Sequence, residues 1–105
     1  MASGKVFHDV LTANTDQDTG ATPAGKVRTS SVNLVNIGAN TAVVKICVSA
    51  ATSFANNKRI EPDIQIPANG LYKLTGEIVG AGERIVLNSS EPNVVARITC
   101  FEENE

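Results

Sequence analysis

The residue types able to do chemistry are few in this chain, and their spacing assembles none of the usual devices. His8 is the single histidine. To activate a serine it would need a partner presented on a Gly-x-Ser-x-Gly elbow, and no such pentapeptide occurs. Its place in an alternating run predicts an edge or surface residue. Gly20-Ala21-Thr22-Pro23-Ala24-Gly25-Lys26 has the Gly-x4-Gly-Lys spacing of a phosphate-binding loop. That chemistry then requires Ser or Thr for the magnesium ion, and Val27 stands there. Pro23 also removes an amide that a phosphate would use, and a strand follows where a helix is required. A turn launching a strand is the preferred reading.

Asp16-Gln17-Asp18-Thr19-Gly20 echoes the opening of a calcium loop, where alternate carboxylates meet one ion, but the bidentate Glu is missing. A solvated turn is expected. Neither Cys47 nor Cys100 has His or Cys at metal-ligand spacing, so no zinc site is expected. Their strand parities also oppose a disulfide: Cys47 shares a face with Val43 and Lys45, Cys100 with Val94, Ala96 and Ile98. Packed, reduced thiols are expected. Glu61, Asp63, Glu77 and Glu83 could supply a carboxylate pair for glycoside hydrolysis. A sugar cleft would also need aromatic platforms, and the chain has three Phe, one Tyr and no Trp. The expectation is therefore a protein that is not an enzyme and takes no cofactor and no metal.

The elements around these residues follow a period of two. Ile60, Pro62, Ile64 and Ile66 alternate with Glu61, Asp63 and Gln65, the mark of a half-buried strand. Pro67-Ala68-Asn69-Gly70 turns the chain, residues 71–79 run on, Gly80-Ala81-Gly82 reverses it, and residues 84–88 make another strand. Residues 60–88 thus read as an antiparallel meander. Earlier strands are expected at residues 6–11, 26–37 and 42–49, the last with Ala42, Val44, Ile46 and Val48 inward. Residues 12–25 read as a polar loop, and residues 50–57 have room for one short helical turn. Residues 94–101 alternate Val94, Ala96, Ile98 and Cys100 with Val95, Arg97, Thr99 and Phe101, before a short acidic tail. Seven or eight short strands at intervals of about 8–12 residues predict an all-β antiparallel sandwich, of immunoglobulin or jelly-roll kind.

Bulk properties agree with one such domain. The chain has 105 residues, 42% of them hydrophobic, with few aromatics, so the core is expected to be aliphatic. Nine Lys and Arg against eleven Asp and Glu give a net charge of −2, which argues against a nucleic-acid partner. No apolar run approaches the roughly 18–20 residues of a membrane span. The first residues lack the hydrophobic stretch of a signal peptide, so synthesis in the cytoplasm is expected.

The order of several segments resembles a recurrent family of small tailed-phage virion proteins. The matching pieces are Pro23-Ala24-Gly25-Lys26-Val27, then Val32-Asn33-Leu34-Val35-Asn36-Ile37-Gly38, then Ala42-Val43-Val44-Lys45-Ile46. They continue through Ile60-Glu61-Pro62-Asp63, Ile66-Pro67-Ala68-Asn69-Gly70, Leu74-Thr75-Gly76 and Gly80-Ala81-Gly82-Glu83-Arg84-Ile85. Val95-Ala96-Arg97-Ile98 and Phe101-Glu102-Glu103 close the series, and residues 1–22 match least.

The resemblance implies a jelly-roll-like capsid decoration or cement protein on the outer surface of the virion. It would bind the major capsid protein as a homo-oligomer, a dimer or trimer. Residues 1–22 would form an N-terminal arm with the first strand and a polar loop, ahead of a sandwich domain at residues 23–105. The expected capsid and subunit contacts are Val6, Phe7, Val10, Leu11, Val43, Val95 and Phe101. The competing expectation is a tail, neck or fibre component that recognises a host receptor or glycan through the loops at residues 12–25 and 50–57. A small hydrolase is a third class, since fold does not exclude function.

Overall fold

The computed structural model describes residues 4–104. They form eight strands: β1 (Gly4–Leu11), β2 (Gln17–Asp18), β3 (Lys26–Asn36), β4 (Ala42–Ser49), β5 (Ile64–Ile66), β6 (Leu71–Val79), β7 (Arg84–Ser89) and β8 (Val94–Asn104). A single 3-10 turn, Asn56–Lys58, lies between β4 and β5. One sheet has the order β1-β8-β3-β6 and the other β2-β7-β4-β5, with every strand pair antiparallel. The protein is an antiparallel β-sandwich.

The strand order selects between the two sandwich topologies that alternation alone leaves open. An immunoglobulin order hydrogen-bonds sequence-adjacent strands repeatedly within a sheet. Here β4 and β5 are the one consecutive pair that does so. The partnerships are β1 with β8, β2 with β7, β3 with β6 and β4 with β5, and these four pairs fall alternately in the two sheets. Such an antiparallel ribbon, wrapped so that successive pairs face each other, is a jelly roll.

Alternation explains which side chains meet between the sheets. Along β3, Ser30, Val32, Leu34 and Asn36 are buried in turn, and along β8 Val94, Ala96 and Ile98 are. Opposite them lie Ala42, Val44 and Ile46 of β4 and Ile85 and Leu87 of β7. The core is aliphatic as composition predicts, with Phe7 and Tyr72 packed against its margin. Each such buried side chain contributes about 1.5–3 kcal/mol relative to exposure.

Two polar devices are built into this core. Asn36 is fully buried; its Nδ2 donates to the Asn40 carbonyl at 2.7 Å and to that of Ile66 at 2.9 Å, and its Oδ1 accepts from the Gly38 amide at 2.9 Å. Since Asn36 ends β3 and Ile66 ends β5, the side chain ties one sheet to the other. The Pro67–Gly70 turn docks on the same residue, through Asn69 N to Asn36 O at 2.8 Å and Asn36 N to Gly70 O at 3.0 Å. Asn69 adopts φ 62°, and a Cβ on Gly70 would come within 2.9 Å of the Pro67 carbonyl, which accounts for Asn-Gly there. At the other end of β3, Arg28 pairs with Glu102 of β8 inside the sandwich.

Several expectations are corrected. Residues 60–88 are not a meander: β5 and β7 lie in one sheet and β6 in the other. The strand expected over residues 60–66 is confined to Ile64–Ile66, because Arg59 instead bridges to Cys47 and Ile60 N donates to Ile46 O at 3.2 Å. The expected loop at residues 12–25 contains β2, and Thr19 and Thr22 within it are buried. Residues 4–22 are not an arm: β1 pairs along β8, β2 pairs with β7, and Leu11 sits in the common core. The acidic tail from Glu102 to Asn104 is strand, because β3 supplies partners for it as far as Lys26. Cys47 and Cys100 are not joined in a disulfide, and they lie on the faces that parity assigns them.

Candidate interaction surface

The β-ladders of the β1-β8-β3-β6 sheet place its outward side chains in transverse rows. Val10 faces Val95, Val95 faces Val35, and Val35 faces Leu71. This is one apolar row across all four strands. Val10 is 45% exposed, Val35 39% and Leu71 63%. Ile37, 58% exposed, extends the row's end, since its amide continues the β3–β8 ladder by donating to Asn93 O at 2.9 Å. Two residues along, His8, Arg97, Asn33 and Lys73 make the next row. Lys5, Thr99 and Ser31 follow, then Phe101, Thr29 and Ile78, with Phe101 and Ile78 both well exposed.

All six of the large apolar side chains exposed among the described residues therefore lie on or at the end of one sheet face. Scattered exposed apolar residues are ordinary on a soluble protein, but contiguous rows of them mark interaction surfaces. The opposite sheet differs. Its outward Cys47 and Val86 face each other across β4 and β7 and are fully buried outside the inter-sheet core, in the region where residues 50–60 fold back along β4.

Both edges of the exposed sheet are long but interrupted. β1 has a register shift between Lys5 and Phe7, and β6 has Gly76 at φ 76° beside the shift between Ser30 and Val32. Bulges and lysines on edge strands oppose the addition of a further strand. The edges of the other sheet are two and three residues long. Contact is thus favoured on the face rather than by strand pairing.

The residues singled out for chemistry do not converge. His8 Nδ1 lies 3.3 Å from Arg97 Nη1, with no serine, threonine or cysteine in the same row. Asp16 uses one carboxylate oxygen to accept the Phe54 amide at 3.0 Å and the other to accept Asn88 Nδ2 at 2.8 Å. The Phe54 amide first, and Asn88 second, hold its carboxyl below the usual aspartate value. Asp18 pairs with Arg84 at 2.9 Å and Asp63 with Arg59 at 2.6 Å. Glu61 accepts the Tyr72 hydroxyl at 2.7 Å, and Glu83 accepts the Gly80 amide at 2.8 Å. No group of three or more His, Cys, Asp and Glu side chains is gathered as metal ligands among the described residues. A cavity of about 10 Å³, room for one water, lies beside Arg28, Thr19 and Ile85.

Of the expected contact residues, Val10 and Val95 come together on the exposed face, and Phe101 lies on the same face three rows away. Leu11 is 2% exposed and belongs to the core, which removes it from any surface. Val6 and Phe7 are half-buried and pack on that core, because the bulge in β1 turns both toward it. Val43 lies on the outer face of the opposite sheet. Sequence reasoning missed Val35, Ile37, Leu71 and Ile78. Alternation puts Val35 outward once Leu34 is inward, but only the ladders align it with Val95 and Leu71.

Comparison with protein-family models, with curated proteins and with solved structures returned no match.

Proposed function

We propose that this chain is a virion structural protein of a tailed phage, a decoration or cement protein that binds the outside of the assembled capsid. It has no catalytic role in this reading, is made in the host cytoplasm and acts as a dimer or trimer on the major capsid protein. The observation that carries it is the collection of Val10, Val95, Val35, Leu71 and Ile37 at one end of a sheet face, with Phe101 and Ile78 farther along. A jelly roll whose most exposed apolar groups share one face, and whose carboxylates are mostly engaged in internal bonds, suits a part that docks. The resemblance of its order of segments to small phage virion proteins supplies the context.

Cementing follows from mass action. A protein that binds only the assembled shell stabilises it at every occupied site, by about 2.7 kcal/mol where its free concentration is a hundred times Kd. Many modest contacts then add up over a particle.

A second reading, recognition of a host receptor by a tail, neck or fibre component, has one observation in its favour. The segments at residues 12–25 and 50–57 meet, through Phe54 N to Asp16 Oδ2, and Arg59 lies 5.3 Å over the Phe54 ring. Electron cryo-microscopy of the intact particle decides between them. Repeated density of this size on the outer shell is the expected result, and density confined to the tail or neck would replace the cement reading with the second one.

A further inference from the structure

The row between the two apolar bands points to the chemistry of the partner. His8, Arg97, Asn33 and Lys73 lie side by side across four strands, with Lys5 beside them. Arg28, Arg59 and Arg84 each hold a carboxylate. Among the described residues, Arg97, Lys73 and Lys5 have none within 4 Å, although all three are exposed. Along the outward register positions the one carboxylate is that of Glu103, at the far end beyond Phe101. This face is cationic on a chain whose net charge is −2.

Resting on the proposal that the chain binds a shell, we infer that the partner surface is an acidic protein surface. It presents carboxylates to the His8–Arg97–Asn33–Lys73 row and apolar side chains to the Val10–Val95–Val35–Leu71 row. Four strands about 4.8 Å apart, of 8 to 11 residues, give a face of roughly 600 Å², at the lower end of the roughly 600–1,000 Å² per partner of a standard interface. A nucleic acid fits less well, because tight phosphate binding takes about six to ten cationic contacts and this face has apolar rows on both sides. A second copy stacked on this face with its two-fold axis along the strands would bring the two cation rows together.

The test uses particles of the encoding phage stripped of their native copy, rebound with the purified full chain across a salt series. The variants are Arg97→Glu with Lys73→Glu, and Lys45→Glu on the other sheet as a control, each with its melting curve. The wild type is expected to rebind with an affinity that falls as salt rises. The double reversal should bind roughly 30-fold more weakly with a flattened salt dependence, while the control and all melting curves stay unchanged. Equal binding by the folded double variant overturns the inference and leaves the shell-binding proposal standing. Failure of the wild type to bind overturns both. Sedimentation as an oligomer that the double reversal dissociates assigns the face to a second copy and overturns the inference. So does equally salt-sensitive binding to a DNA oligonucleotide.

Discussion

Arg28 Nε and Glu102 Oε1 stand 3.1 Å apart inside the sandwich, at facing positions of β3 and β8, with side chains only 10% and 2% exposed. An ion pair taken out of water gains little over a well-packed apolar pair, but a lone member of it is costly. Glu102→Ala is expected to lose about 3–5 kcal/mol. The double variant Arg28→Met/Glu102→Leu should recover most of that loss. Urea unfolding of Arg28→Met, Glu102→Leu and the double, as a cycle, measures it; additive losses would show that the pair is not a unit.

Asn36 gives a second stability prediction. Asn36→Ala leaves the Ile66 carbonyl and the Gly38 amide without this partner, at an expected cost of about 2–3 kcal/mol. Asn36→Asp keeps the shape but turns an acceptor toward two carbonyls, so it should cost more than the alanine. Thermal melts of the two variants rank them, and the reverse order would refute the assigned donor role.

The N-terminal strand is part of the fold, so it cannot be removed as an appendage. Deleting residues 2–12 strips the partner from the edge of β8 and takes Leu11 from the core. The truncated chain is expected to be unfolded or aggregated, and Leu11→Ala alone should lose about 2–5 kcal/mol. Circular dichroism and gel filtration check both. A soluble, native-like truncation would restore the arm.

Tyr72 is the single tyrosine, which makes its ionisation directly readable in the ultraviolet. Burial first, then the hydrogen bond and the charge of Glu61, push its hydroxyl up to about 12. The neutral phenol is favoured in the folded state, so this contribution is complete below pH about 10 and is lost as pH rises toward the folded value. Glu61→Gln should lower the midpoint only part of the way, since burial remains. A native midpoint near that of free tyrosine would contradict the contact.

The exposed apolar row should matter for binding and not for folding. Leu71→Lys is expected to change stability by no more than about 0.5 kcal/mol, because the side chain is 63% exposed. Its occupancy on stripped particles should nevertheless fall well below that of wild type, with Val43→Lys as the control on the other sheet. A melting curve beside a quantitative binding assay separates the two effects, and undiminished occupancy would remove this row from the interface.

The sequence by itself determined where most strands lie and which way their side chains point. Val32 and Leu34, Ala42, Val44 and Ile46, and Val94, Ala96 and Ile98 are inward because a period of two is a local property of pleated backbone. It also showed that His8, the cysteines and the carboxylates lack the local spacing of a catalytic or metal motif. Which strand neighbours which was decided only by the tertiary structure, since alternation looks the same beside any partner. β2, two residues long, carries too little pattern to read, β5 keeps only the last three residues of the alternating run from Ile60, and Glu102 joins a strand because Arg28, far away in sequence, meets it there. The surface proposed for docking has the same origin. Val10, Val95, Val35 and Leu71 become one row only when β1, β8, β3 and β6 are hydrogen-bonded side by side.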